Sequence, residues 1–239
     1  MRVSKVLMLE MKNILRNRWL YVSLIISIVL ALGLVYAIKF LQGPFTIKAI
    51  SGFYGIGSTV ALAVFCTKLY VDDLSSGTVS LFFSNKKNRR SYFLGKLLAA
   101  IFLGILFGGV CAIVLIGASY YLGWQVNLIG YIIKPILIYV LFSVFNMELF
   151  FLIGIFYKNT NMLIVTTLIT VLAVPSVVER INVEKASNLV KHMIRNVPVF
   201  FMVQDTKYLQ LSFYKVIVLS IFIVVLFVSS YYCICKTDY

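Results

Sequence analysis

Six long apolar runs divide this chain, with short polar segments between them. A helix that spans a bilayer takes about 20 mostly apolar residues, and each run approaches that length. The pattern therefore predicts an all-α, polytopic membrane protein with six transmembrane helices, forming one transmembrane domain over 1–239 with no soluble domain. The predicted spans are residues 19–38, 52–71, 95–121, 134–157, 161–178 and 214–234.

The segment before the first span repeats apolar residues at helical spacing. The apolar positions are Val3, Leu7, Met11, Ile14 and Leu15, while Lys5, Lys12, Asn13 and Arg16 occupy other faces. This pattern predicts an amphipathic helix over 3–17 that lies in the membrane interface and enters the membrane at Trp19. Glu10 interrupts the segment, which therefore does not resemble a signal peptide. The alternative is a simple topology anchor.

A second amphipathic stretch lies between spans five and six. Leu189, Val190, Met193 and Ile194 recur at helical spacing, and Pro198 then opens the short apolar run "VFFMV". This run is too short to span, which favours re-entrant or interfacial helices. An ordinary loop packed on the outer face is an equal alternative.

Composition supports a membrane protein and excludes several other classes. The chain is 62% hydrophobic and only 13% charged. Its net charge of +14 does not indicate nucleic-acid binding, because the basic residues fall between apolar runs and no binding motif is present. Four cysteines and one histidine show neither a disulfide framework nor a metal site.

The distribution of lysine and arginine predicts the orientation. Residues 1–18 and the segment after span two are rich in both, whereas the loops after spans one and three hold few. The positive-inside rule therefore places both termini in the cytoplasm. The loop at 179–213 is an exception, since it is basic and yet must lie outside if all six runs span.

The segment at 71–96, "VDDLSSGTVSLFFSNKKNRRSYFLGK", is the most polar stretch between two spans. Gly77 can end the helix of span two, and Thr78 can cap a new helix. Asn88 or Ser91 can cap the helix that leads into span three. The pattern predicts a short cytoplasmic helix with an apolar surface formed by Val79, Leu81, Phe82 and Phe83. The alternative is a helix that lies on the membrane and re-enters it.

The order of residues in this segment resembles type-2 ABC transporter permeases, the membrane subunits of many bacterial exporters. The matching elements are Asp72–Asp73, Gly77–Thr78, the apolar turn, Arg89–Arg90 and Gly95–Lys96. The chain lacks the proline that this family often has near Lys86. The N-terminal "LEMKNILRNRW" is similar to the family's elbow helix, to which we assign Glu10, Lys12, Arg16 and Trp19.

The resemblance implies that the short helix is a coupling helix, which docks on a separate ATP-binding subunit. The residues that it assigns to coupling are Asp72, Asp73, Gly77, Thr78, Leu81, Phe82, Phe83, Arg89 and Arg90. It further implies two copies of that subunit, which bring ATP and Mg²⁺, and a second copy of this chain or a related permease. The chain itself has no Gly-x-x-x-x-Gly-Lys-Ser/Thr motif, so we expect no enzymatic activity and no cofactor in it.

Two features inside the spans are candidates for packing or transport. Ala100, Gly104, Gly108 and Ala112 form a stripe of small residues in span three that lets another helix approach closely, either within the chain or in a dimer. Glu148, near Asn146 in span four, is an acid well inside a span, where an ionised carboxylate is costly. It is either a polar point on a transport path or a structural hydrogen-bonding group.

These observations predict the permease subunit of an exporter in the bacterial cell membrane that moves an amphipathic substrate. Small permeases with a similar N-terminal segment resemble peptide, bacteriocin-immunity, antimicrobial-peptide or drug exporters. The alternatives are a non-transporting sensor, scaffold or immunity subunit, and an intramembrane enzyme. An enzyme would need paired catalytic groups at membrane depth, and the sequence shows no such pair.

Overall fold

The structure, a computed structural model, describes residues 3–77, 86–125, 128–157, 159–180 and 187–236. Within these ranges the chain is mostly helical and contains no strand. Six helical segments are long and apolar enough to cross a membrane, which confirms the predicted all-α fold with six candidate spans. They are Arg18–Leu41, Ile47–Ser75, Asn88–Leu122, Gly130–Phe156, Thr160–Val178 and Phe213–Ile234.

We number the α-helices in chain order. They are α1 (Val3–Arg16), α2 (Arg18–Leu41), α3 (Ile47–Ser75), α4 (Lys86–Leu122), α5 (Leu128–Phe156), α6 (Thr160–Leu168), α7 (Val174–Arg180), α8 (Asn188–Asn196), α9 (Pro198–Tyr208) and α10 (Phe213–Lys236). A π-helix, Ile169–Ala173, joins α6 to α7, so that the three together form the fifth candidate span.

Helix α3 lies at the centre of the bundle and packs against α2, α4, α5, α6 and α9. Its buried polar side chains bond to three of these neighbours. Tyr54 donates to the carbonyl of Phe107 in α4, the Ser58 hydroxyl pairs with that of Tyr139 in α5, and Thr67 pairs with Thr167 in α6. Since an unpaired polar group is costly in an apolar interior, these bonds fix how α3 sits among its neighbours.

Local sequence explains four of the helix ends. Asn17, Asn159 and Ser187 each accept a backbone N–H at the start of α2, α6 and α8. Gly77 adopts a φ of 70° just beyond the end of α3, as expected of a glycine that stops a helix.

The start of α4 differs from the prediction. Helix α4 has already begun at Lys86, so Asn88 and Ser91 lie within its first two turns and neither caps it. The predicted capping role for these two residues is wrong. Both residue types are common caps, but the helical pattern of the residues before span three extends further toward the N-terminus than the apolar run.

The fifth span contains a proline, and the helix widens ahead of it. Pro175 has no N–H to donate, and its ring would collide with the carbonyl four residues earlier in a regular α-helix. The π-helical turn Ile169–Ala173 ends two residues before it. A wider turn relieves this conflict and allows the helix to continue as far as Arg180.

Two helices, α8 and α9, lie between the fifth and sixth spans, where the sequence leaves re-entrant or interfacial helices and an ordinary packed loop as equal alternatives. Whether either helix re-enters the membrane stays a prediction. Pro198 takes the first position of α9, where its missing N–H costs nothing. Glycines in α3 let α9 approach: a Cβ added at Gly55 would lie 2.6 Å from the Cα of Lys207, and one at Gly52 would lie 2.7 Å from the Tyr208 ring. Helix α9 therefore packs beside the first turns of α3.

Candidate functional site

A cluster of buried and half-buried charges joins three helices at the end of the bundle where α3 finishes and α4 starts. Lys96 of α4 donates a hydrogen bond of 2.8 Å from Nζ to Oε1 of Glu10 in α1. The same ammonium group contacts Oδ2 of Asp73 at the end of α3. Tyr92, one turn before Lys96, donates to Asp73 Oδ2 at 2.7 Å. We call Glu10, Asp73, Tyr92 and Lys96 the charge cluster.

Helix α1 brings Glu10 to Lys96 because one face of α1 packs against α4. Val6, Glu10 and Ile14, spaced four residues apart, form the buried face, whereas Lys5, Lys12 and Arg16 are exposed. Gly95 permits this packing, since a Cβ there would collide with the side chain of Val6. The acid is therefore set between two apolar residues on the packed face.

Burial dominates the electrostatics of the cluster. Lys96 is only 2% exposed, so its ammonium group has exchanged water for two carboxylates. Burial raises the pKa of Glu10 above its usual range, and the charge and hydrogen bond of Lys96 oppose this rise. Asp73 and Asp72 raise the pKa further by repulsion. Removing only the cation or only an acid from such a cluster is costly, because the charge that remains is buried without its partner.

A small cleft of about 80 Å³ opens beside the charge cluster. It lies between α1 and α3, and its polar lining includes Asn13, Lys68 and Asp72 in addition to the cluster acids. Asp72 is exposed, unlike its neighbour Asp73. The Asp72–Asp73 pair of the sequence is therefore divided: one acid is bound within the bundle and the other is open to solvent.

The Arg89–Arg90 pair is directed at α10. Arg89 is buried and donates from Nη1 to the carbonyl of Ile234 at 3.1 Å. The guanidinium of Arg90 lies 5.4 Å from the centre of the Tyr231 ring, in a cation–π contact. These two contacts attach the start of α4 to the last turns of the sixth span.

Part of the predicted coupling segment lies outside the described residues. Thr78, Val79, Leu81, Phe82 and Phe83 belong to this part, so the predicted short helix stays a prediction. The described flanks of the segment are α3, ending at Ser75, and α4, beginning at Lys86. Both flanks are held by the contacts of Asp73, Arg89 and Lys96 described above.

The predicted elbow-helix residues are distributed over both faces of the α1–α2 corner. Glu10 is buried in the charge cluster, while Lys12 and Arg16 are exposed on the opposite face of α1. Trp19 is exposed at the start of α2, and Asn17 accepts its backbone N–H at 3.0 Å. The corner thus shows the amphipathic character that the sequence predicts, while its depth in the membrane interface stays a prediction.

Glu148 and Asn146 are both buried within α5. The Asn146 amide donates to the carbonyl of Phe142 in its own helix at 2.7 Å. Glu148 is only 1% exposed, and its Oε2 has no hydrogen-bond partner among the described residues. The structure therefore places the acid in the bundle interior, with one carboxyl oxygen unsatisfied.

The stripe of small residues in α4 faces α5. A Cβ added at Gly104 would lie 2.6 Å from the Cα of Val140, and one at Gly108 would lie 2.7 Å from the Cα of Ile136. Ala100 and Ala112 are also buried. The close approach occurs between two helices of the same chain, at both glycines of the stripe.

Sequence reasoning missed how the charges pair. Glu10 and Lys96 were singled out for separate reasons, and Tyr92 was not singled out at all. One signal was available: in a chain with only eight acidic residues, an acid on the same helical face as Val6 and Ile14 needs a cation nearby. A second pair, Lys215 with Asp205 at 2.7 Å, joins α10 to α9 and was missed in the same way.

In comparisons with known proteins, no family model and no curated protein matches this chain. Within the described residues no group of histidine, cysteine, aspartate or glutamate side chains could hold a metal ion. The candidate site therefore consists of the ion pairs of the charge cluster and the segment whose two ends they hold.

Proposed function

We propose that this chain is the membrane-spanning permease subunit of an ATP-driven exporter, coupled to a separate ATP-binding subunit. The charge cluster is the observation that carries the proposal. It ties α1 to the two helices that border the 78–85 segment, at the exact point where a partner could push or pull on them. A force on that segment would move α1, α3 and α4 together, since breaking their buried ion pairs is costly.

The central position of α3 extends this argument to the other end of the bundle. Helix α3 begins beside α9 and ends in the charge cluster, and hydrogen bonds join it to α4, α5 and α6 along its length. A displacement at one end of such a helix is passed to its far end, because helices are stiff and packed interiors deform little. This linkage suits a subunit that converts ATP hydrolysis in a partner into movement of its spans.

The proposed substrate is amphipathic, such as a peptide, a bacteriocin or a drug-like molecule. Large apolar side chains are exposed along α2, the fifth span and α10, where they face lipid or another subunit. A substrate that passes between two permease copies would contact exposed apolar faces of this kind. The proposed assembly contains two permease chains and two ATP-binding subunits in the bacterial cell membrane, with both termini in the cytoplasm.

The test is the double variant Phe82→Ala/Phe83→Ala, assayed for copurification with a coexpressed candidate ATP-binding subunit, for ATPase rate and for export. Buried aromatic anchors dominate small protein contacts at about 2 kcal/mol or more each. We expect the variant to lose most copurification with the ATPase, or to uncouple ATP hydrolysis from export. Membrane insertion should stay normal, because the change lies outside the spans.

The matched control is Phe156→Ala/Tyr157→Ala, an exposed aromatic pair at the same end of the bundle but at the end of α5. This control should keep wild-type copurification, ATPase rate and export. Should the Phe82/Phe83 variant bind, hydrolyse and export like wild type, the coupling role is wrong. A wild-type chain that captures no ATPase would favour the sensor or scaffold alternative.

A further inference from the structure

A cavity of about 470 Å³ lies at the opposite end of the bundle from the charge cluster. It is formed by the start of α3, the last part of α4, the start of α5 and the end of α9. Its size falls within the range of ligand sites, about 300–1,000 Å³. It shares no residue with the charge cluster or with the 71–96 segment, so its interpretation does not depend on the proposed function.

Two lysines supply the charge of this cavity. Lys48 is the second residue of α3, and Lys134 lies in the second turn of α5. Both are exposed, and neither pairs with a carboxylate in the part of the chain that the structure describes. Among the described residues, none that lines the cavity is acidic. Two cations without counter-ions in one cavity favour an anionic ligand.

The rest of the lining is that of a membrane interface. Tyr131 and Tyr208 contribute rings with polar tips, and Gln210 contributes an amide. Leu115 lies seven residues before the end of α4, so the cavity reaches about 10 Å along that helix from its end. The lining therefore changes from lysine and tyrosine at the helix ends to leucine in the span, as headgroup changes to acyl chain in a bilayer.

We infer that this cavity is a binding site for an anionic phospholipid, with the phosphate held by Lys48 and Lys134 and the acyl chain running toward Leu115. A free phosphate would use the lysines but not the apolar depth of the cavity. A zwitterionic lipid would use that depth, but its own cation would repel the lysines. An anionic phospholipid satisfies both parts of the lining, and lysines near the surface attract such lipids electrostatically.

The experiment uses the full chain, purified in detergent and freed of bound lipid. Dihexanoyl-phosphatidylglycerol, dihexanoyl-phosphatidylcholine and inorganic phosphate are titrated separately, and binding is followed by the shift in thermal unfolding and by native mass spectrometry. We expect the wild-type chain to bind phosphatidylglycerol more tightly than the other two. The affinity should fall as ionic strength rises, because both lysines are exposed.

The variant Lys48→Gln/Lys134→Gln should bind phosphatidylglycerol about 30-fold more weakly, the loss expected for two lysines beside an anionic lipid. The control variant Lys39→Gln/Arg195→Gln removes the same charge from residues outside the cavity and should bind like wild type. Lys48→Arg/Lys134→Arg keeps the charge and should retain binding, which separates loss of the site from loss of the fold.

Three results would overturn the inference. The first is equal binding of phosphatidylglycerol and phosphatidylcholine. The second is an equal loss of affinity in the cavity and control variants. The third is inorganic phosphate binding as tightly as the lipid, which would identify a site for a free anion.

Discussion

Lys96 and Glu10 lie 86 positions apart in the chain, and a hydrogen bond of 2.8 Å joins them in the interior of the protein. The bond attaches the amphipathic N-terminal helix to the third span. Asp73 shares the same ammonium group, so three helices meet at one cation. The stability of this end of the bundle should therefore depend on Lys96 more than on either acid.

The first prediction concerns the loss of that cation. Lys96→Met leaves the buried Glu10 and the half-buried Asp73 side by side without a counter-charge. Removing one side of a buried ion pair typically costs about 3–5 kcal/mol. We expect a large drop in the thermal unfolding midpoint at neutral pH. Lys68→Met is the matched control, since Lys68 lines the same cleft, is only half-buried and pairs with no described carboxylate. Similar losses in both variants would contradict the prediction.

The second prediction concerns the pH dependence of stability. The pKa of Glu10 is raised by burial above its ordinary value of 4.5, so the folded chain binds this proton more tightly than the unfolded chain. Its contribution to stability is therefore largest below pH 4.5 and falls as the pH rises through the raised pKa. The charged groups that act on the Glu10 carboxyl are Lys96, Asp73 and Asp72. Compared with Glu10→Gln, the wild type should lose unfolding free energy as the pH rises through this window.

Thermal unfolding of both proteins, measured from pH 4 to pH 8, checks this sign. The opposite result would be a wild type that becomes more stable relative to Glu10→Gln as the pH rises. It would show that the attraction of Lys96 affects the Glu10 pKa more than burial does. The Lys96→Met variant gives a second check. Its defect should shrink on acidification, because protonation removes the repulsion between Glu10 and Asp73.

The third prediction concerns the packing of α4 on α5. Gly104→Ala would bring a Cβ to 2.6 Å from the Cα of Val140, which is backbone and cannot rotate away. We expect a loss of about 1–3 kcal/mol of unfolding free energy from overpacking. Gly109→Ala on the same helix meets nothing within 4 Å and should be neutral or slightly stabilising. The measurement is the thermal unfolding midpoint of each variant. A larger drop for Gly109→Ala than for Gly104→Ala would refute the close packing of α4 on α5 at Gly104.

The fourth prediction concerns Glu148. Because its Oε2 has no partner among the described residues, replacing the acid by an apolar residue should cost little stability. Glu148→Leu should therefore unfold at or above the wild-type temperature, and yet transport less if the acid has a role on the transport path. The buried neighbour Met147 supplies the control Met147→Leu, which should keep both properties. Normal export by Glu148→Leu would leave the acid without a transport role.

The fifth prediction concerns orientation. In a background that lacks the four native cysteines, Ser187→Cys should react with an impermeant thiol reagent in intact cells. Ser75→Cys, at the end of α3, should react only after lysis. Both serines are exposed, so a difference in labelling reports the side of the membrane rather than burial. The reverse pattern would place the 71–96 segment outside and exclude its coupling role.

The sequence alone determined the class and the spans of this protein. A bilayer demands about 20 apolar residues per helix and leaves no backbone group unpaired, so six apolar runs lead directly to six helices. The apolar repeats of α1 and of α8 are likewise local patterns. They can be read from the chain because each depends on residues close together in sequence.

Only the tertiary structure decided which distant groups meet. The sequence indicates that a buried Glu10 needs a cation, but several basic residues near the same end of the bundle are candidates, and helix packing selects Lys96. In the same way, α9 rather than another helix lies against Gly55 of α3. Such choices depend on how the helix surfaces fit together, and that fit involves side chains from every part of the chain at once.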